Sequence, residues 1–461
     1  MVDSSLLLRP TPGSARSIAV AFCFLLCLSF FVERGPYRAL RESRAYDFST
    51  LYAAARCWTA GEDPYLVTNL KEQLTQARAP DSLIRQQDVN PCLYFLSAMP
   101  LVASIAWLRW SVATVVWCVL SLAFFAASLL VTFRQVRLSV HSRWICCSLS
   151  LLFCPAYAGM LYENPSVLAC SLVALIVFLP HAWYRTRGIL LALALGLKPQ
   201  IGMVALCALV LWRLWAPLLI GFVFSALVTL AGIVRAGSFA QFTAWSHSQQ
   251  ANFALLTLPG GKGDLGPDSP WALGSLNAQT ISALFVRNVH IQDVIVWTFA
   301  AALLALYLVS RRVRLGCRNR DLVFFTAWTT TAVYHRYYDA QLFLVLWPAL
   351  IELWQGLHRK VTMALGGCLC FLVLPSENLI ARLLHSEGAV HSGLDVLLFR
   401  HQSIAVILMA LVALCYWPAE NNGSPGSPTK QKPGRRTCRA SAFHLIQLRR
   451  GLLRGFAAQA G

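Results

Sequence analysis

The sequence predicts an all-α polytopic membrane protein, and three observations carry that expectation. Of its 461 residues, 57% are hydrophobic and only 13% charged, and the mean hydropathy is +0.57. A soluble protein of this size with that balance would lack the polar surface to cover its core. Apolar runs recur along the whole length, as expected of helices that each need about 20 apolar residues to cross a bilayer. The arginines fall mainly in short connections between those runs, where positive charge selects the cytoplasmic side. The formal net charge of +19 is therefore a topology signal rather than a sign of nucleic-acid binding.

The 15 cysteines add no chemistry of their own. Cys23, Cys27, Cys146, Cys147, Cys154 and Cys170 lie inside apolar runs and read as small buried hydrophobes. No CxxC pair is present, so a zinc site is not expected. No internal repeat is visible. Residues 1–417 read as one membrane domain and 418–461 as a basic, largely disordered cytoplasmic tail. Leu445, Leu448, Leu452 and Leu453 among its arginines suit a weak amphipathic helix on the inner leaflet or a plain solvated tail.

Taken in order, Arg9 and Arg16 precede the first apolar run, residues 17–31, and place the N-terminus in the cytoplasm. Val32, Glu33 and Arg34 follow that run where a signal peptide would carry small residues, so it reads as an uncleaved span. Residues 33–91 then form a first external loop. Residues 93–108 are short for a span and read as a surface or re-entrant helix, while 111–133 cross fully. From there the charges support strict alternation through 144–160, 167–183, 189–197, 201–212, 215–234, 294–309, 322–333, 342–354, 361–375 and 404–417. Residues 235–290 become a large external loop, and 376–402 a further external segment. The cluster Arg311, Arg312, Arg314, Arg318 and Arg320 is the strongest cytoplasmic signal. Joining 189–212 into one Pro-kinked span would put that cluster outside, so Lys198-Pro199 is read as a turn between two spans. The total is about twelve spans with both termini cytoplasmic.

This topology gathers the unusual polar residues on the external side: Asp47, Glu62, Asp63, Glu163, Asn164, Lys198, Gln200, Asn277, Gln279, His335, Arg336 and Asp339. Such groups near membrane depth are costly unless they pair or line a wet cavity. Asp47 sits at the start of YDFSTLYAAARCWTAGEDPY, a stretch that reads as a short helix closed by Gly61 and Pro64. Its carboxylate suits either a helix cap or a general base at the membrane surface. Lys198 is either a turn residue or a cation for a headgroup-level phosphate. His335-Arg336, flanked by Tyr334, Tyr337 and Tyr338, is either an aromatic-belt anchor or a second cationic pair.

These stretches together resemble glycosyltransferase family 87, the polyprenyl-phosphate-mannose-dependent mannosyltransferases of the GT-C fold. The resemblance rests on DFSTLYAAARCWTAGEDPY, Asn90-Pro91 with LYFLSAMPLV, ENPSVLACSLVALIVFL, GILLALALGLKPQIGMVALCALVLWR, GSLNAQTISALFVR and YHRYYDAQLFLVLWPAL, in the family's order from Tyr46 to Leu350. Tyr162-Glu163-Asn164 departs from the family's "GQxN" turn, and Cys92 stands where a second proline would be. The resemblance implies an inverting transferase in a bacterial-type plasma membrane. It would move a hexose, mannose in the family, from a polyprenyl phosphate to a glycolipid or glycan acceptor on the external face. On this basis Asp47 is the expected base, with Asp63 and Glu62 in reserve. Lys198, with Arg336 and His335, would bind the donor phosphate. Asn164, Gln200, Asn277, Gln279 and Asp339 would bind sugar or acceptor. No cofactor is called for, and a divalent cation is left open. A transporter of a lipid-linked substrate would favour mid-span charges and internal symmetry. A lipid-linked-glycan polymerase or ligase would concentrate Arg and His in one late loop. Neither pattern is present.

Overall fold

The computed structural model describes residues 12–313, 317–356, 358–373 and 376–417. The expectations for Arg9, Arg314 and the tail fall outside these residues. Among the described residues four helices are long and apolar enough to cross a membrane: Ala15–Arg41, Trp110–Arg134, Trp215–Val234 and Val289–Arg312. Three bent pairs raise the number to as many as seven: Val140–Leu152 with Cys154–Leu161 at 51°, Arg359–Leu372 with Glu377–Leu383 at 55°, and Gly393–Phe399 with His401–Cys415 at 81°. The first bend divides what the sequence suggests is one span. Pro155 opens the second half, and its ring and missing N–H cannot continue the preceding helix.

The centre of the molecule is built from shorter helices. Pro165–Phe178 has 14 residues and Pro199–Leu211 has 13. At 1.5 Å per residue each is about 20 Å long, less than the ~30 Å hydrocarbon thickness. The Pro165 helix is apolar on every side and buried from Pro165 to Val177, as a helix in the core of a bundle must be. Its neighbour Tyr184–Leu197 ends at Lys198, and the Pro199 helix then turns back along it. A side chain at Gly202 would meet the Leu195 amide nitrogen at 2.9 Å, so the two helices pack backbone to backbone about Lys198. The turn expected at Lys198-Pro199 is thus a reversal and not a kink.

These helices connect two polar ends. At one end the Arg187 guanidinium Nε donates to Ile176 O at 2.6 Å. Beside it the Trp212 indole donates to Asp321 at 2.9 Å, and Arg318 lies 5.1 Å over the Trp212 ring. Asp321 is fully buried and also receives Tyr307 at 2.5 Å and both arms of Arg311 at 2.9 and 3.2 Å. At the other end lie Asn164, Lys198, His335 and Asp339.

Residues 33–91 contain the helices Tyr46–Ala60, Val67–Gln76 and Asp81–Gln86. Within 93–108 only Ala98–Ala106 is helical, and this short helix packs on the Tyr46 helix instead of spanning. Arg56 donates to Ala106 O at 3.0 Å and Tyr52 to Leu108 O at 2.6 Å. Residues 235–290, expected as loop, contain the 19-residue helix Phe239–Thr257. Its polar side chains hold the first loop. Gln241 donates to Gly61 O at 3.0 Å, Ser248 to Asp63 at 2.8 Å and Asn252 to Tyr65 O at 2.9 Å. Among the described residues the one extended pairing is an isolated bridge between Ser275 and Arg336.

Candidate active site

Asp47 occupies the first turn of the Tyr46 helix, whose N-cap position is Ala45 and carries no side-chain cap. The capping role open to Asp47 from sequence is therefore excluded. Its carboxylate turns away from its own helix and accepts Asn164 Nδ2 on Oδ2 at 2.7 Å. Asp47 Oδ1 accepts from no described residue. The Asp47 backbone N–H meets Tyr162 O at 3.4 Å, which holds the two segments in register.

Asn164 is placed by its own helix. It is the N-cap of the Pro165 helix, and its Oδ1 accepts the Ser166 N–H at 2.8 Å and the Ser166 hydroxyl. With the carbonyl oxygen committed to the cap, the amide nitrogen must point outward, and it points at Asp47. Ser166, which the sequence did not single out, is the next link. Its hydroxyl contacts Asp339 Oδ1 and accepts Lys198 Nζ at 2.6 Å. Lys198 also donates to Asp339 Oδ1 at 3.1 Å and lies 5.1 Å over the Tyr338 ring. His335 Nδ1 lies 3.2 Å from Asp339 Oδ2, which also accepts the Arg336 N–H at 3.0 Å. Four segments distant in sequence thus share one polar network.

The two carboxylates have opposite environments. Asp339 is 3% exposed and surrounded by partners. Burial pushes its pKa up, but Lys198 and His335 outweigh burial and hold it well below the usual carboxylate range. Asp47 remains partly accessible. Loss of solvation raises its pKa, and the Asn164 hydrogen bond and the charges of Lys198 and Lys262 only partly offset this. Two carboxyl groups driven apart in this way are suited to different roles, one as a fixed anion and one as a proton acceptor.

The other expected residues divide plainly. Lys198 is not a free cation, because its ammonium is bound to Ser166 and Asp339. Arg336 keeps its guanidinium away from carboxylates and donates to Trp271 O and Lys262 O, each at 2.9 Å. Glu62 and Asp63 lie beyond the far end of the Tyr46 helix, roughly 20 Å from Asp47 at 1.5 Å per residue. Both Asp63 oxygens are used, by Tyr65 N–H at 2.9 Å and Ser248 at 2.8 Å, and Glu62 accepts Gln73 at 3.1 Å. Neither carboxylate belongs to the Asp47 group. Asn277 accepts the Thr280 N–H at 3.3 Å and serves its own turn, and Gln279 donates to Asp293 at 3.0 Å, tying its turn to the Val289–Val313 helix. Gln200 follows Lys198 in the first turn of the Pro199 helix, partly exposed.

Two further residues were not among the expected site. Lys262, from the large loop, donates to Asn90 at 3.3 Å and acts electrostatically on Asp47. Glu163 is buried beside Asn164, with positive φ and neither carboxylate oxygen partnered by a described residue. Burial pushes its pKa up to about 8, so it is mostly protonated at neutral pH. Among the described residues no group of three or more His, Cys, Asp and Glu is clustered to hold a metal ion.

The sequence model of glycosyltransferase family 87 matches residues 93–335. That segment carries Asn164, Ser166, Lys198 and His335, while Arg336 and Asp339 lie just beyond it and Asp47 lies well before it, in the first loop. No curated protein and no solved structure matches the chain. The family match covers more than half of the 461 residues, in a helical chain with several helices apolar enough to span a membrane, and the chain accordingly belongs to glycosyltransferase family 87, a membrane glycosyltransferase.

Proposed function

We propose that this enzyme transfers a hexose, mannose, from a polyprenyl-phosphate donor to a glycolipid or glycan acceptor by a single inverting displacement, with Asp47 as general base. The acceptor oxygen forms its bond to the anomeric carbon as Asp47 takes the hydroxyl proton. The bond from that carbon to the phosphate oxygen breaks on the opposite face, and polyprenyl phosphate leaves with the electron pair. The observation that carries this reading is the contrast between the two carboxylates. Asp339 is buried and saturated by partners, whereas Asp47 is partly accessible, has an oxygen free of described partners and has a raised pKa. Lys198, His335 and Asp339 act behind Asp47, fixing Ser166 and through it Asn164, which orients the base. Gln200 is left to meet sugar or acceptor hydroxyls.

The same reading carries a GT-C-type bundle of about twelve spans in a bacterial-type plasma membrane, with both termini cytoplasmic and the Asp47 end external. The basic groups Arg187, Arg311 and Arg318 gather at the end away from Asp47, in keeping with that orientation.

The test uses membranes containing the full chain, incubated with labelled polyprenyl-phosphate mannose and endogenous acceptor. Asp47→Asn preserves shape and the Asn164 contact but has no basic oxygen. It should lower turnover by about a hundredfold or more, with membrane insertion unchanged. Near wild-type transfer by Asp47→Asn would remove Asp47 from the chemistry.

A further inference from the structure

The segment 258-LPGGKGDLGP-267 presents one lysine on a glycine-rich loop, and its backbone explains the composition. Gly263 N–H donates to Leu256 O at 2.7 Å, and Gly261 N–H to Leu258 O at 2.8 Å. A side chain at Gly261 or Gly263 would meet the Leu256 carbonyl oxygen at 2.7 Å. Asp264 closes the loop by accepting Gly260 N–H at 3.0 Å and Gly266 N–H at 2.9 Å. The glycines therefore fold the loop tightly back on the end of the Phe239 helix and leave Lys262 at its tip.

Lys262 reaches the Asp47 side of the site. Its ammonium donates to Asn90 Oδ1 at 3.3 Å, and Asn90 Nδ2 in turn donates to Thr50 on the Asp47 helix at 3.4 Å. It lies 5.7 Å over the Trp271 ring. Arg336 is bound to the same loop, because its guanidinium donates to the Lys262 and Trp271 carbonyl oxygens. Two partly buried cations are thus fixed side by side. Among the described residues neither has a carboxylate oxygen within 4.0 Å, in contrast to Lys198, which is paired with Asp339. Burial lowers the Lys262 pKa and the adjacent Arg336 lowers it further, against the opposing pull of Asp47. Like charges held together in a partly desolvated place are unfavourable until an anion joins them.

We propose that Lys262 and Arg336 form the phosphate-binding clamp of this enzyme, taking the phosphate of a polyprenyl-phosphate lipid. This rests on the donor assigned above. In an inverting displacement the base and the leaving phosphate stand on opposite faces of the sugar. A cation pair joined to the Asp47 helix through Asn90, yet not ion-paired with Asp47, is near enough to that carboxylate to take the phosphate across a bound sugar. Arg336 supplies a planar guanidinium anchored by backbone carbonyls, and Lys262 a compact point charge held at the tip of a tight loop.

Binding is measured with the full-length protein in neutral phosphatidylcholine nanodiscs, using a short-chain polyprenyl phosphate and the matching polyprenol. The wild type should prefer the phosphate strongly. Lys262→Gln and Arg336→Gln should each weaken phosphate binding about tenfold or more and leave polyprenol binding unchanged, while Lys262→Arg keeps most of the preference. Asp47→Asn, which carries no clamp residue, should retain it, so loss of transfer and loss of phosphate binding are read separately. Equal phosphate affinity in wild type and Lys262→Gln, with an intact thermal transition, overturns the clamp while leaving the donor assignment standing. No preference for phosphate in the wild type overturns the donor assignment and the clamp together. Repeating the measurement with phosphatidylglycerol in the nanodisc distinguishes the sources of phosphate. Full competition by that headgroup would show a general anionic-lipid site and reject the donor role.

Discussion

Asn164 Nδ2 donates to Asp47 Oδ2 at 2.7 Å, joining residues 117 positions apart, and the same Asn164 caps the Pro165 helix through Oδ1. One side chain therefore ties the orientation of the proposed base to the start of a helix buried from Pro165 to Val177. It also opposes the effect of burial on Asp47, because a donated hydrogen bond favours the charged carboxylate.

The pH dependence of transfer follows from this relationship. Asp47 must be ionised to accept a proton, and its pKa is raised by burial. Activity should thus fall as pH drops through a value above the ordinary aspartate pKa of about 3.9. Asn164→Ala removes the hydrogen bond that favours the charge, so the acid limb of kcat/KM should move to higher pH. The variant also loses a helix cap, at a cost of about 1 kcal/mol. A cap lost without effect on the base would lower thermal stability and leave the pH profile in place, and that outcome would separate Asn164 from Asp47.

Lys198 and Asp339 should behave as a coupled pair. Both are buried and their charged atoms lie 3.1 Å apart. Lys198→Met removes the cation and leaves a desolvated carboxylate, a loss expected to cost about 3–5 kcal/mol. Adding Asp339→Asn removes that stranded charge, so the double variant should be more stable than Lys198→Met alone. Thermal unfolding of the four proteins in one detergent measures the interaction. Strictly additive effects would mean that the pair does not hold this end of the bundle together.

Glu163 offers a prediction about stability rather than turnover. In the folded protein its pKa is about 8, raised by burial, whereas the unfolded chain has an ordinary glutamate value near 4.3. The folded state therefore binds the extra proton, and its advantage is present in full at low pH and is lost as pH rises through about 8. Glu163→Gln keeps the shape and removes the titration. Between roughly pH 5 and pH 8 its unfolding temperature should decline less than that of the wild type, and above pH 8 the two curves should run parallel. Curves that run parallel over the whole range would mean that Glu163 is solvated or paired in the native protein.

What the sequence determined by itself was the character of the chain and its punctuation. Apolar runs and their lengths marked the helices Trp110–Arg134, Trp215–Val234 and Val289–Val313, because burial in lipid or core constrains composition directly. The reversal at Lys198-Pro199 was legible because proline interrupts a helix there, between two short apolar runs. Asp47, Lys198, His335 and Asp339 stood out for a similar reason, as charged or polar groups in apolar surroundings.

The tertiary structure alone decided which of these groups meet. Asp47 and Asp63 share a stretch of sequence but lie at opposite ends of one helix, since a helix separates them at 1.5 Å per residue. Ser166 carries no charge to attract notice, yet it links Asn164, Lys198 and Asp339. Lys198 was open as a turn residue or a phosphate cation until packing of the Tyr337–Leu346 segment on the Pro165 helix brought Asp339 within 3.1 Å. Lys262 was one lysine in a long loop until the fold laid that loop against Asn90 and Arg336. The physical reason is common to all four. Composition and period report how a residue meets solvent, whereas which groups meet and which are held apart is settled only when the helices form and pack.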